Sequence, residues 1–263
     1  MNTELILKEG FQEYIVDTDT DIYLNIIANK TSDLLIRIIN AKSISIFSDI
    51  NNEGNITILF WNESNNKILF NEKYEVGSNS DLKIAYGDLN GADIERSTVV
   101  NLNGPNASSL VKSATLCKNK KHYSILVNSR VPYTNGNIEN YSVVLDGGNY
   151  KMDATGKIEK GAYKSESHQT SRSLSFDENQ VSTIIPKLII DDNDVMASHA
   201  TSVGRVDDNQ LMYMQSRGLT LSQVMSLIST GYLLPIADFI NNDELRKSLR
   251  ENIERMVEVE CSI

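Results

Sequence analysis

The sequence predicts a mainly β protein with a C-terminal α-helical subdomain. Three observations carry that prediction: short apolar runs broken by turn residues fill residues 22–190, glycine recurs between them, and the apolar spacing becomes helical after Gly204. Ile22–Ile27, Leu34–Ile39, Ser43–Phe47 and Asn55–Phe60 follow one another with Asn, Asp, Ser and Gly between. Ser43–Phe47 and Asn55–Leu59 alternate apolar and polar residues, the period of a strand with one buried face. Asn51–Gly54 and Asn62–Asn66 read as turns, because Asn and Gly tolerate the left-handed backbone of tight turns.

Many short strands suit a sandwich, a barrel or a β-helix. Two features lean toward the β-helix: obvious Asn-Gly hairpins are missing, and Gly87, Gly91, Gly104, Gly136, Gly147, Gly148, Gly156 and Gly161 read as corner residues. No strict repeat marks the coils.

Beyond Gly204 three capped helices follow. Asp207 or Asp208 caps the first, which closes at Arg217 with Gly218 as its stop. Thr220 caps the second, Leu221–Thr230, which Gly231 ends, and Pro235 lies in the link. Asn242 caps the third, where Leu245, Leu249, Ile253, Met256 and Val257 form one apolar stripe with Arg246, Lys247, Arg250, Glu251 and Glu254 on the other faces. Burying each stripe residue contributes roughly 1.5–3 kcal/mol, so the stripe needs a surface, either the end of the β body or a partner. The expected division is 1–200 for the β core and 201–263 for the helices.

At 263 residues the chain is long enough to bury a proper core, and its net charge of −10 argues against nucleic acid or an anionic membrane as main partner. Cys117 and Cys261 are its only cysteines, which leaves no disulfide framework and no paired-cysteine metal motif. No secretory signal and no membrane-spanning apolar run is visible. A cytoplasmic location is the expectation. No phosphate-cradling Gly-x-x-x-x-Gly-Lys-Ser/Thr loop and no Gly-x-Ser-x-Gly elbow occurs, so no ATP site of its own is expected.

The most informative stretch is Pro186–Leu219. It runs an apolar strand (Leu188–Ile190) into an acidic turn with Asp191, Asp192 and Asp194, then to Ser198, His199, Thr201, Val203 and Gly204, and closes a helix on Ser216-Arg217-Gly218. This pattern resembles the C-terminal core of the SufB/SufD family, scaffold proteins of iron–sulfur cluster assembly. The resemblance extends upstream through Asn101–Gly104, Val144–Gly147, Thr155–Gly161 and His168–Leu174, while residues 1 to about 75 match in texture only. It implies a right-handed parallel β-helix core, and a short form without the helical N-terminal domain of longer members.

The resemblance also assigns roles. His199, read at the junction of strand and helix, corresponds to a histidine near the interface of two scaffold subunits, implicated in building a nascent cluster; neutral imidazole is a competent iron ligand. Its structural alternative is a packing histidine. Ala197 stands where the family often has Cys, and Ala200 follows His199 where SufB-type chains carry Glu, which favours a SufD-like role. One histidine cannot hold a cluster, so a transient iron–sulfur cluster would be shared with a partner subunit. The implied partners are a SufB-like subunit or a second copy, through the β-helix, and the SufC ATPase, through the C-terminal helices. Reduced flavin accompanies some family complexes, and no residue here points to it.

Other candidates rank lower. Cys117 and His122 lie in Cys-Lys-Asn-Lys-Lys-His, where Lys118, Lys120 and Lys121 would depress the thiol pKa, against the plainer reading of a solvated turn. His168 reads as structural, Cys261 as an unremarkable tail thiol, and the three aspartates as a solvated turn rather than a hard-cation site. Competing functions are a β-helix carbohydrate-active enzyme, disfavoured by the single Trp61 and the lack of an export signal, and a DNA-binding helix-turn-helix over Leu219–Tyr232, disfavoured by the lack of basic residues.

Overall fold

The computed structural model describes residues 2–261 apart from Asn29, Asn52, Glu53 and Asp177. The turn expected at 51–54 contains Asn52 and Glu53 and so lies outside the described residues. The chain alternates between two sheets. Strands β1 (Asn2–Ile6), β3 (Asp21–Ala28), β5 (Ser43–Ile50), β7 (Ile68–Val76), β9 (Ile94–Leu102), β11 (Lys120–Ser129), β13 (Asn149–Ile158) and β15 (Val181–Ile190) form one sheet in that order. Strands β2 (Gly10–Asp17), β4 (Ser32–Asn40), β6 (Asn55–Asn62), β8 (Asp81–Asp88), β10 (Ser108–Cys117), β12 (Asn135–Val144), β14 (Glu166–Ser175) and β16 (Met196–Arg205) form the other. Each strand pairs in parallel with the strand two places on, as Asn2 with Tyr23 or Ser108 with Asn135.

The fold is therefore a parallel β-helix, and the right-handed course implied by the resemblance is the one that crossovers between parallel strands take. Its coils lengthen along the chain: Asn2 pairs with Tyr23, Ile68 with Ile94 and Asn149 with Val181, steps of 21, 26 and 32 residues. That drift explains why no fixed period shows in the sequence. Of the glycines read as corners, Gly87, Gly136 and Gly156 lie within strands. Gly87 is required by contact rather than by a turn, since a Cβ there would come within 2.6 Å of the Trp61 ring.

Inward side chains of the two sheets fill the lumen. The early coils are aliphatic, with Ile26, Ile36, Ile58 and Ile84 fully buried. The middle coils hold charge. Arg96 lies sandwiched between the rings of Phe70 and Tyr86, its guanidinium carbon 3.6 and 3.8 Å from their centroids, and donates to Glu72. Glu72 also accepts from Tyr86 (2.6 Å) and Tyr74 (3.1 Å). Burial raises the Glu72 carboxyl above the usual carboxylate range, against the pull of Arg96. Asp88 lies 3.7 Å from the far side of the guanidinium and accepts from Tyr123 at 2.9 Å. The later coils carry ladders of small polar groups: Ser113 donates to Asn140 (2.9 Å), Asn140 to Ser171 (3.0 Å), and Ser142 to Ser173 (2.9 Å). Such groups belong in a core only when bonded to one another.

The tail folds back on the body. Helix α1 (Asp208–Ser216) is capped by Asp207 and stopped at Gly218, whose φ is 94°. Helix α2 (Leu221–Leu233) carries a capping box between Thr220 and Gln223 and runs through Gly231, beyond its expected end at Thr230. It is one continuous helix, so the helix-turn-helix read over Leu219–Tyr232 is not formed. A short 3₁₀ turn containing Pro235 leads to α3 (Asp243–Glu260), capped by Asn242. Leu249, Ile253 and Val257 of the α3 stripe are buried with Met225 and Leu233 of α2 against Leu35, Leu59, Trp61, Leu116 and Val143. These are outward residues of the even-numbered sheet, so the stripe is consumed by the flank of the solenoid, not its end. No single helix among the described residues is long and apolar enough to cross a membrane.

Candidate functional site at the open last coil

A solenoid buries each coil beneath the next, and the last coil has no successor. The consequence is visible in the exposure of its strands: β14 alternates buried and half-buried or exposed residues, β15 is half-buried at its inward positions from Ser182 to Leu188, and all ten residues of β16 are exposed. Both β15 and β16 are sheet edges, bonded on one side to β13 and β14 and open on the other. Each edge thus offers a row of backbone N–H and C=O groups to another chain.

His199 lies in the middle of β16, not at the strand-to-helix junction, because the acidic turn hands the chain to one more strand before α1 begins at Asp208. Its partner in β14 is Gln169, which pairs in turn with Ile138 of β12. Residues in register on parallel strands point to the same face, and Gln169 and Ile138 are buried lumen residues. His199 therefore continues an inward column, and it reaches solvent because nothing is stacked above it. Ala197, Thr201, Val203 and Arg205 continue the neighbouring columns from Ser167, Ser171, Ser173 and Ser175. Across the lumen opening stand Ile184, Pro186 and Leu188 of β15, all half-buried. Among the described residues, His199 makes no hydrogen bond or ion pair within the chain, and no group of three His, Cys, Asp or Glu side chains is placed to hold a metal ion.

The other candidates are dispersed. His168 faces outward on β14, with Nδ1 2.7 Å from the Ser198 hydroxyl and Nε2 3.6 Å from Glu166. Asp192 accepts the backbone N–H of Gly161 and of Asp194 (both 3.1 Å), which lowers its pKa, and Asp194 pairs with Lys164 at 2.9 Å. The acidic turn fastens the last coil to the preceding one.

Cys117 is neither on a solvated turn nor activated. It is buried at the end of β10, and burial pushes its thiol up to about 11. Lys121, expected to lower that value, is itself buried and drawn down to about 8 by burial, while donating to the carbonyls of Asp88 (2.7 Å), Asn90 (2.6 Å) and Leu116 (2.9 Å). Lys118 and Lys120 turn away to Glu260 and Glu95. Cys261 is buried too, its thiol raised by burial. The buried Glu72–Arg96 pair and Gln169 were not legible as partners, since a spacing of one coil has no fixed length here.

Residues 8–232 match the family model described as SUF system FeS cluster assembly, SufBD core domain. The chain belongs to the SufBD core family. Among its relatives in this family, the iron–sulfur cluster assembly protein SufD of Bacillus subtilis is 31% identical over 183 residues, covering 69% of this chain and 42% of the relative. SufD of Escherichia coli is 24% identical over 174 residues, covering 63% and 40%. An iron–sulfur cluster assembly SufBD family protein of Mycobacterium tuberculosis is 32% identical over 129 residues, covering 49% and 15%. The alignments thus span less than half of each relative. SufBD membership accords with the parallel β-helix, and the matched region takes in the open coil with His199.

Proposed function

We propose that the protein is a non-catalytic, SufD-like scaffold subunit of cytoplasmic iron–sulfur cluster assembly. In this reading a second SufBD-type subunit, SufB-like or another copy, seats on the open last coil, and a SufC-type ATPase docks on the helical tail and supplies the energy. The observation that carries the reading is β16: a ten-residue edge strand, exposed throughout, beside a lumen opening lined by Ile184, Pro186 and Leu188. Natural proteins cover or blunt long open edges, and a partner strand is one such cover.

At that junction His199 offers one imidazole to a nascent cluster, which is cargo rather than a resident cofactor. With Ala197 in place of a thiol, and both cysteines of the chain buried, the cluster's other ligands come from the partner chain or from sulfide. The tail's apolar stripe is spent on its own sheet, so the surface left for an ATPase is the outward one, where Met212, Tyr213, Leu227 and Val259 are exposed.

His199→Ala tests the reading. The side chain is exposed on an edge strand, so stability is expected to change by no more than about 1 kcal/mol, while cluster yield per folded complex falls several-fold after anaerobic supply of iron and sulfide, read by visible absorbance. An unchanged yield per folded complex would remove His199 from the function.

A further inference from the structure

Gln169 carries an unexplained polar atom. The residue is 3% exposed on β14, and its Nε2 donates to the Lys187 carbonyl of β15 at 2.8 Å. That contact fixes the amide, because a backbone carbonyl only accepts and must face the NH2 side. The other amide atom, Oε1, is buried without any hydrogen-bond partner. Buried acceptors are nearly always satisfied, so an orphan of this kind calls for a donor. The room for the side chain comes from Gly156 on the opposite sheet, where a Cβ would approach Nε2 to 3.0 Å.

The next residue along the same inward column is His199, in register with Gln169 and one strand spacing away, and its ring has no partner in the chain. An imidazole always has at least one N–H to donate. We infer that Gln169 is a positioning residue for His199: the two side chains are not bonded in the structure, and a turn of the exposed ring brings one imidazole N–H to the free Oε1, which fixes the ring's tautomer and leaves the other nitrogen, unprotonated, toward the open coil. Metal-binding histidines generally depend on such a hydrogen bond from their second nitrogen. The inference rests on the cluster-building reading of His199 for its purpose, but not for its test.

The test is nitrogen NMR of the His199 ring in the isolated full-length chain at about pH 9, where imidazoles are neutral; loss of a signal in His199→Asn assigns the resonance. Gln169→Glu, which keeps an acceptor but loses the N–H that donates to the Lys187 carbonyl, is expected to favour the same tautomer as the wild type. Gln169→Met, close in volume but without the acceptor, is expected to move that ratio about threefold or more, as loss of a single hydrogen bond allows. A ratio unchanged in Gln169→Met overturns the inference, even if His199→Ala abolishes cluster formation. Should Gln169→Met fail to fold, a ratio in the wild type equal to that of free histidine overturns it equally. A shifted ratio together with a cluster yield indifferent to His199→Ala would instead sustain the hydrogen bond and sink the assembly reading.

Discussion

Replacing Arg96 with methionine is expected to be among the most damaging single changes, lowering the free energy of unfolding by about 3–5 kcal/mol. The guanidinium is fully buried between Phe70 and Tyr86 and is the nearest positive charge to Glu72. Without it, a carboxylate already raised by burial is left to titrate inside the lumen, supported by the Tyr74 and Tyr86 hydroxyls and, at 3.5 Å, by that of Thr98. Removing one partner of a buried pair costs more than removing both, because the survivor keeps its desolvation penalty. Adding Glu72→Gln to Arg96→Met, which neutralises the survivor and keeps an acceptor for the two tyrosines, should therefore recover part of the loss. Urea unfolding of both variants checks this. A double variant less stable than the single would mean that the pair contributes by packing and not by charge.

The second large effect is expected from Ile253→Ala, at about 2–5 kcal/mol. Ile253 is fully buried in the layer between the tail and the even-numbered sheet, alongside Leu249 and Val257. Trp61, the chain's only tryptophan, lies on the sheet side of that layer, so its fluorescence reports the tail directly. If tail and solenoid form one cooperative unit, the midpoint by Trp61 fluorescence and the midpoint by circular dichroism should fall together in the variant. An earlier fluorescence transition would mean that the helices detach before the coils open. Loss of ATPase binding in such a variant would follow from a loosened tail, since the stripe does not face outward.

The local elements were legible because each is encoded within a few residues. Asp207, Thr220 and Asn242 cap the three helices at the positions expected, and the Ser43–Phe47 alternation lies within β5. What escaped was whatever depends on the stacking of coils. Steps of 21 to 32 residues hide the repeat, so Arg96 and Glu72, or His199 and Gln169, have no sequence spacing that marks them as neighbours. Cys117 was misjudged for the same reason. Its run of lysines reads as a solvated basic knot, but coil packing turns Lys121 inward onto three carbonyls and buries the thiol beside it. His199 was located by the motif around it, and its exposure only by the fact that β16 ends the stack.

Amide hydrogen exchange tests the central claim most directly. In the isolated chain the outward-bonding amides of β16, Met196–Arg205, have no neighbouring strand and should exchange rapidly, in contrast to those of β12, which lies between β10 and β14. On adding a SufB-like subunit, or at a concentration that dimerises the chain, protection is expected to appear in β15 and β16 and to leave the N-terminal strands β1 and β2 unchanged. Stable association without protection at the last coil would contradict the account, for it would place the partner elsewhere and leave His199 outside the interface.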